Sequence, residues 1–226
     1  LAELELLLSA CPPGATYQDY QAAIVDDNVL LKRTGTTRQR SLRGLRELYA
    51  LDGPNVLFRA LRELWGVDES AHPLLALLSA VARDPLLRAT GHVLMEAAPG
   101  DVVTPQVLAA AVARAYPDRY RARTLAKIGR NAASSWRQSG HLVGRSTKTR
   151  AQADCRPAAV AYALLLGHLC GDRGEALFET FWARLLDAPI HTLHDQAFFA
   201  SQRGWIDYRH TGMVTEITFR HLMREE

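Results

Sequence analysis

"KIGRNAASSWRQSGHLVGRSTKTR", residues 127–150, is the stretch on which the reading of this chain turns. It carries seven basic residues, counting His141, and no acidic one, in a chain of 226 residues whose formal net charge is only +3. On a helix of about 100° per residue, Arg123, Lys127, Arg130, Ser134 and Arg137 fall within about 40° of one line. Leu125, Ile128, Ala132 and Trp136 fall on the opposite side. The spacing therefore predicts a helix over 121–139 that docks its apolar stripe on the body and turns four cations and a hydroxyl outward. Trp136 belongs to the docked side and is expected in the core. Asn131, Ser135 and Gln138 border the basic face and add the short polar groups that contact phosphates and base edges.

The segment after this helix sets the fold. "SGHLVG" supplies the glycine that stops a helix and then a short apolar strand; "RSTKTR" is a polar, basic loop. Helix, glycine, short strand and basic loop is the order of a winged helix. Arg145, Lys148 and Arg150 are expected in the wing, along a phosphate backbone, with His141 beside them and also touching phosphate. "TPQVLAAAVARAY" (104–116) has Thr104 at the N-cap and Pro105 at the first helical position, and serves as the supporting helix.

Charge is segregated along the rest of the chain. Residues 28–46 and 119–153 together hold fifteen of the 27 lysines and arginines and none of the 24 acidic residues. A near-neutral total thus hides two positive islands on an acidic body, a distribution that speaks to partners rather than to fold. In the first island, a helix at 16–26 is followed by a long connection and then a helix from Thr34. That second helix carries Arg38, Arg40 and Arg43, a looser version of a helix-turn-helix.

Elsewhere the chain reads as helix at 2–9, 56–65, 72–84, 85–97, 157–170, 174–187 and 192–204. Only "GWIDYRHTGMVTEITFRHL" alternates like a β-hairpin, with its turn at "HTG". The expected fold is mainly α: a helical bundle with helix-turn-helix and winged-helix elements and a small C-terminal hairpin. Three segments are expected: 1–70 with the first basic element, 71–155 with the winged element, and 156–226 with the last helices and the hairpin.

The composition, 48% hydrophobic and 23% charged, is that of an ordinary globular protein. Cys11, Cys155 and Cys170 are too few for a disulfide framework and form no CxxC pair, which points to a reducing cytoplasm. The longest apolar run, 158–170, is interrupted by His168 and too short to span a membrane. No phosphate-binding loop, dinucleotide fingerprint, nucleophile elbow or HExxH motif is present, and no cofactor is expected. His191 and His194 with Asp195 are read as helix-start and surface residues rather than a metal site. The sequence therefore predicts a non-enzymatic protein.

Four stretches taken together resemble the BrxA family of small proteins from BREX bacteriophage-defence operons. They are "DNVLLKRTGTTRQRSLRGLRELY" (27–49), "LLALLSAVARDPLLR" (74–88), "TLAKIGRNAASSWRQSGHL" (124–142) and "GWIDYRHTGMVTEITF" (204–219). "SSWRQSGHL" is distinctive to this chain rather than general to that family. The resemblance implies a helical protein that binds double-stranded DNA, works with other defence-system proteins and has no catalytic role. Two other roles fit the charge pattern: an adaptor docking acidic partner proteins, and a regulator enclosing an effector between helices 72–97 and 157–187.

Overall fold

Helix-starting side chains set the beginnings of six of the helices. In the computed structural model, which describes residues 1–212 and 214–224, Thr16 and Thr34 each close a capping box at the head of α2 (Tyr17–Val25) and α3 (Gly35–Tyr49). Asn55 caps α4 (Val56–Trp65), following α1 (Ala2–Ala10) and the first pair. The apolar α5 (His72–Arg83) comes next, buried from Leu74 to Val81.

The expected helix at 85–97 divides into α6 (Pro85–Ala89) and α7 (Gly91–Glu96). Thr90 is the break: its hydroxyl donates to the Leu87 carbonyl at 2.6 Å and accepts from the indole nitrogen of Trp136 at 2.8 Å. A residue used in this way bonds to its own turn instead of continuing the helix.

Next come α8 (Pro105–Ala115), α9 (Ala122–Gln138) and the strands β1 (Leu142–Val143) and β2 (Thr149–Arg150), which pair antiparallel. Val102, just before α8, bridges antiparallel to Thr149. The Gly100 amide donates to the Arg150 carbonyl and the Val103 amide to Lys148, so the segment before α8 lies on the outer edge of β2. Bridge, helix, helix, strand, loop, strand, with the bridging segment paired to the last strand, follows the order expected of a winged helix.

After it run α10 (Pro157–Leu169), α11 (Phe181–Arg184), α12 (Ile190–Gln202), the hairpin β3 (Asp207–Thr211) and β4 (Val214–Thr218), and α13 (Arg220–Met223). The expected helix over 174–187 is instead a 3₁₀ segment, Gly174–Glu179, and the short α11. Thr180 sits extended between them and caps α11 through the Ala183 amide, which forbids a continuous helix. In the hairpin, Thr211 faces Val214, which places the turn at Gly212 (φ 61°), at the end of the expected "HTG".

Buried residues from Leu4 to Leu222 join in one hydrophobic core, to which all three expected segments contribute. Its axis is α10, buried from Ala158 to Gly167 and packed on α4, α5, α11 and α12. α5 and α10 pack on each other directly.

α8 and α9 cross closely enough to need a glycine. A Cβ on Gly129 would lie 2.1 Å from the Pro105 carbonyl oxygen and 3.0 Å from the Ala109 Cβ. In an unobstructed helix Gly→Ala gains about 1 kcal/mol. Here Gly129→Ala is expected to lose about 1–3 kcal/mol through overpacking, read as a lower thermal midpoint of unfolding, so the sign alone tests the crossing.

Candidate nucleic-acid interface

The placement of α9 begins with Trp136. It is fully buried, hydrogen-bonded to Thr90 and edge-on to the His141 ring at 5.1 Å. Gly129, Ala132 and Ala133 are buried along the same stripe. With that face fixed, Arg123, Lys127, Arg130 and Arg137 are exposed on the other side. Among the described residues, none of the four enters an ion pair.

The polar residues at the border of this face are used differently from one another. Asn131 is exposed, while Ser134 and Ser135 are half-buried. The Ser135 hydroxyl donates to the Asn131 carbonyl at 3.3 Å, and the Gln138 amide folds back on the Ser134 hydroxyl at 3.1 Å. Asn131, Ser135 and Gln138 line a cavity of about 390 Å³ whose other walls include Leu48 and Tyr49 of α3 and Leu86 of α6. Their polar ends thus border an internal groove as well as the basic face.

The loop 144–148 joins β1 to β2 as a five-residue wing. Gly144 has φ 98°, and a Cβ there would meet the Thr147 carbonyl oxygen at 2.1 Å, so only glycine makes this turn. Arg145 is exposed and Lys148 is half-buried with its ammonium near the Arg145 carbonyl.

Two residues expected at the DNA surface lie inside instead. Arg150 is 7% exposed. Its guanidinium clasps both carboxylate oxygens of Asp187, at 2.8 and 2.5 Å, and its Nε donates to the Leu94 carbonyl at 2.8 Å. Side chains alternate across a strand, and Arg150 is on the inward side, paired by register with the buried Leu142. His141 is 2% exposed, its Nδ1 2.8 Å from the Ser139 hydroxyl and its Nε2 2.9 Å from the Leu185 carbonyl. A carbonyl only accepts, so Nε2 carries the proton of the neutral ring, and the single proton of the Ser139 hydroxyl is shared between His141 Nδ1 and the Trp136 carbonyl at 3.0 Å. Burial pushes the His141 pKa down to about 4.

The first island is also partly committed to structure. Arg38 donates to the Val25 carbonyl at 2.8 Å, tying the end of α2 to α3, and is half-buried. Lys32 pairs with Glu3, and the Arg46 guanidinium lies 4.6 Å over the Tyr17 ring. Arg40 and Arg43 are exposed, so of the three cations assigned to this island's helix the structure leaves two outward. The α2–α3 connection runs through residues 26–34, with Asn28 and Leu31 at positive φ, which is no tight turn.

The arrangement is thus a basic helix face and an adjacent basic wing, rooted on a buried ion pair and a buried neutral histidine. A further cluster escapes sequence reasoning. His194 does not pair with His191; it meets Glu175 and His210, residues far apart in the chain that only the fold brings together. No helix among the described residues is long and apolar enough to cross a membrane.

Two measurements check these placements. Arg150→Ala strands the Asp187 carboxylate and is expected to cost about 3–5 kcal/mol of stability, whereas Arg145→Ala, on the exposed wing, stays within about 0.5 kcal/mol. For His141 the sign follows from its depressed folded pKa. Between pH 6.5 and 4 the unfolded chain binds the proton that the folded chain refuses, so stability falls on acidification. Urea unfolding between pH 6.5 and 5 is expected to show a slope of up to about 1.4 kcal/mol per pH unit that His141→Gln removes. No protein-family model and no curated protein sequence matches the chain.

Proposed function

We propose that the protein binds double-stranded DNA without catalysing a reaction on it, as one component of a BREX-type defence system in the cytoplasm. The observation that carries the reading is the juxtaposition of four exposed cations on the outer face of α9, which enter no ion pair among the described residues, with Arg145 and Lys148 on the wing beside it. In a winged helix, the second helix of the pair enters the major groove and the wing follows the backbone. Arg123, Lys127, Arg130 and Arg137 supply charge to phosphates, and Ser134 a hydroxyl among them. Asn131 and Gln138, at the edge of that face, are the side chains suited to base edges. Arg40 and Arg43 of α3 offer a second, smaller phosphate contact. The assignment to defence rests on the resemblance to BrxA.

The test is a duplex-binding titration across salt concentrations. Six phosphate contacts give a slope of log K against log[salt] of about −5, at about −0.9 per contact. Arg145→Ala with Lys148→Ala lowers the slope by about 2 and weakens unrelated duplexes alike. Lys127→Glu, Arg130→Glu and Arg137→Glu together abolish binding while the thermal midpoint holds, because these side chains are exposed. A slope shallower than about −2 sinks the reading and leaves an adaptor for acidic proteins as the better account.

A further inference from the structure

The cluster of Glu175, His194 and His210 serves none of the roles above. Its members come from three elements: the 3₁₀ segment, α12 and β3. One ring nitrogen from each histidine and one carboxylate oxygen lie within 4.8 Å of one another. His194 Nε2 is already 3.1 Å from Glu175 Oε1. Ligands around a tetrahedral zinc at bond lengths of about 2.0–2.1 Å stand about 3.3 Å apart, so one edge is in place and the others close by small side-chain rotations.

The surroundings are those of ligands held in position. His194 Nδ1 is 2.8 Å from the Tyr208 hydroxyl, and its ring stacks on Phe178 with centroids 4.1 Å apart. His210 Nδ1 is 2.7 Å from the Thr215 hydroxyl, which itself donates to Glu175 Oε2. That hydroxyl has a single proton, committed to the carboxylate, so it accepts from His210 Nδ1–H. This tautomer leaves the Nε2 lone pair of His210 free. The Thr215 hydroxyl, with the two histidines behind it, also holds the Glu175 carboxyl below its usual range and therefore ionised. Partners on the non-ligating nitrogens of this kind orient metal-binding imidazoles.

We propose that Glu175, His194 and His210 bind a divalent transition ion of the zinc class, which pins the C-terminal hairpin to the helical body. Two imidazoles and a carboxylate suit that ion and leave a fourth position for water. Glu175 and His210 are exposed, which gives the ion an entry path. On binding, the ion takes the place of the proton between His194 Nε2 and Glu175, and His194 Nδ1–H donates to the Tyr208 oxygen. A two-stranded hairpin is marginal alone. Here β3 lies on α12 and β4 on the 3₁₀ segment, and the ion joins β3, α12 and the 3₁₀ segment at one point.

The test uses the full chain without a histidine tag, stripped by chelator and titrated with zinc chloride in a calorimeter. The expected result is a single saturable site of micromolar affinity or tighter, with a raised thermal midpoint of unfolding. His210→Ala and Glu175→Gln, both at exposed positions, abolish binding with the fold intact. Tyr208→Phe weakens it by about tenfold or more, as loss of an orienting partner does. His191→Ala, on the same helix but outside the cluster, leaves it unchanged. The proposal is overturned by the absence of a saturable site, by binding that survives both His210→Ala and Glu175→Gln, or by binding that His191→Ala removes.

Discussion

Everything outward about this molecule depends on the docking of one indole. Trp136 fills the core and spends its only donor on Thr90, the residue that breaks α6 from α7. An unpaired indole nitrogen in such a place would be costly, so burial and hydrogen bond together fix both the depth and the rotation of α9. Rotation is the important part: turned elsewhere, the helix would bring an arginine into the core. The cationic face is therefore defined by what the opposite face has to bury.

The same logic sets the root of the wing. β1 and β2 are each two residues long, too short to hold a loop by ladder hydrogen bonds alone. Buried residues beside β1 and within β2 instead reach across the chain. His141 contacts the Leu185 carbonyl and Arg150 clasps Asp187, both in the stretch between α11 and α12. Asp187 adopts φ 58°, which asparagine and aspartate tolerate better than most residues, and it also accepts from the Ala153 amide. One carboxylate thus holds both the end of the last wing strand, at Arg150, and the chain just beyond it, at Ala153.

Much of this is legible in the sequence, for a definite reason. Helix 121–139 declares itself because four cations and four apolar residues fall on opposite sides of a 3.6-residue period, and Thr104-Pro105 marks a helix start chemically. Arg150 and His141 mislead because a basic residue next to a basic loop looks the same in sequence whether it faces water or polar partners in the interior. Only the two-residue register of β2 and the distant Asp187 decide it. Thr90 gives no local signal, because its helix-breaking role depends on Trp136, a partner 46 residues away. Arg38 misleads for a similar reason, since the carbonyl it binds is exposed only by the ending of α2. Local periodicity is readable; the destination of a polar side chain is not.

The Arg150–Asp187 clasp also bears on how the chain can be divided. Residues 71–155 have the secondary structure of a transferable winged-helix module, yet the module's last strand finds its counter-charge outside it. Cut free, the segment would carry an arginine and a histidine facing a surface that no longer exists, beside the newly exposed Leu142. The wing is consequently anchored on the α11–α12 connection, through Leu185 and Asp187. Inheritance of the basic face without the C-terminal half would require a different residue at position 150.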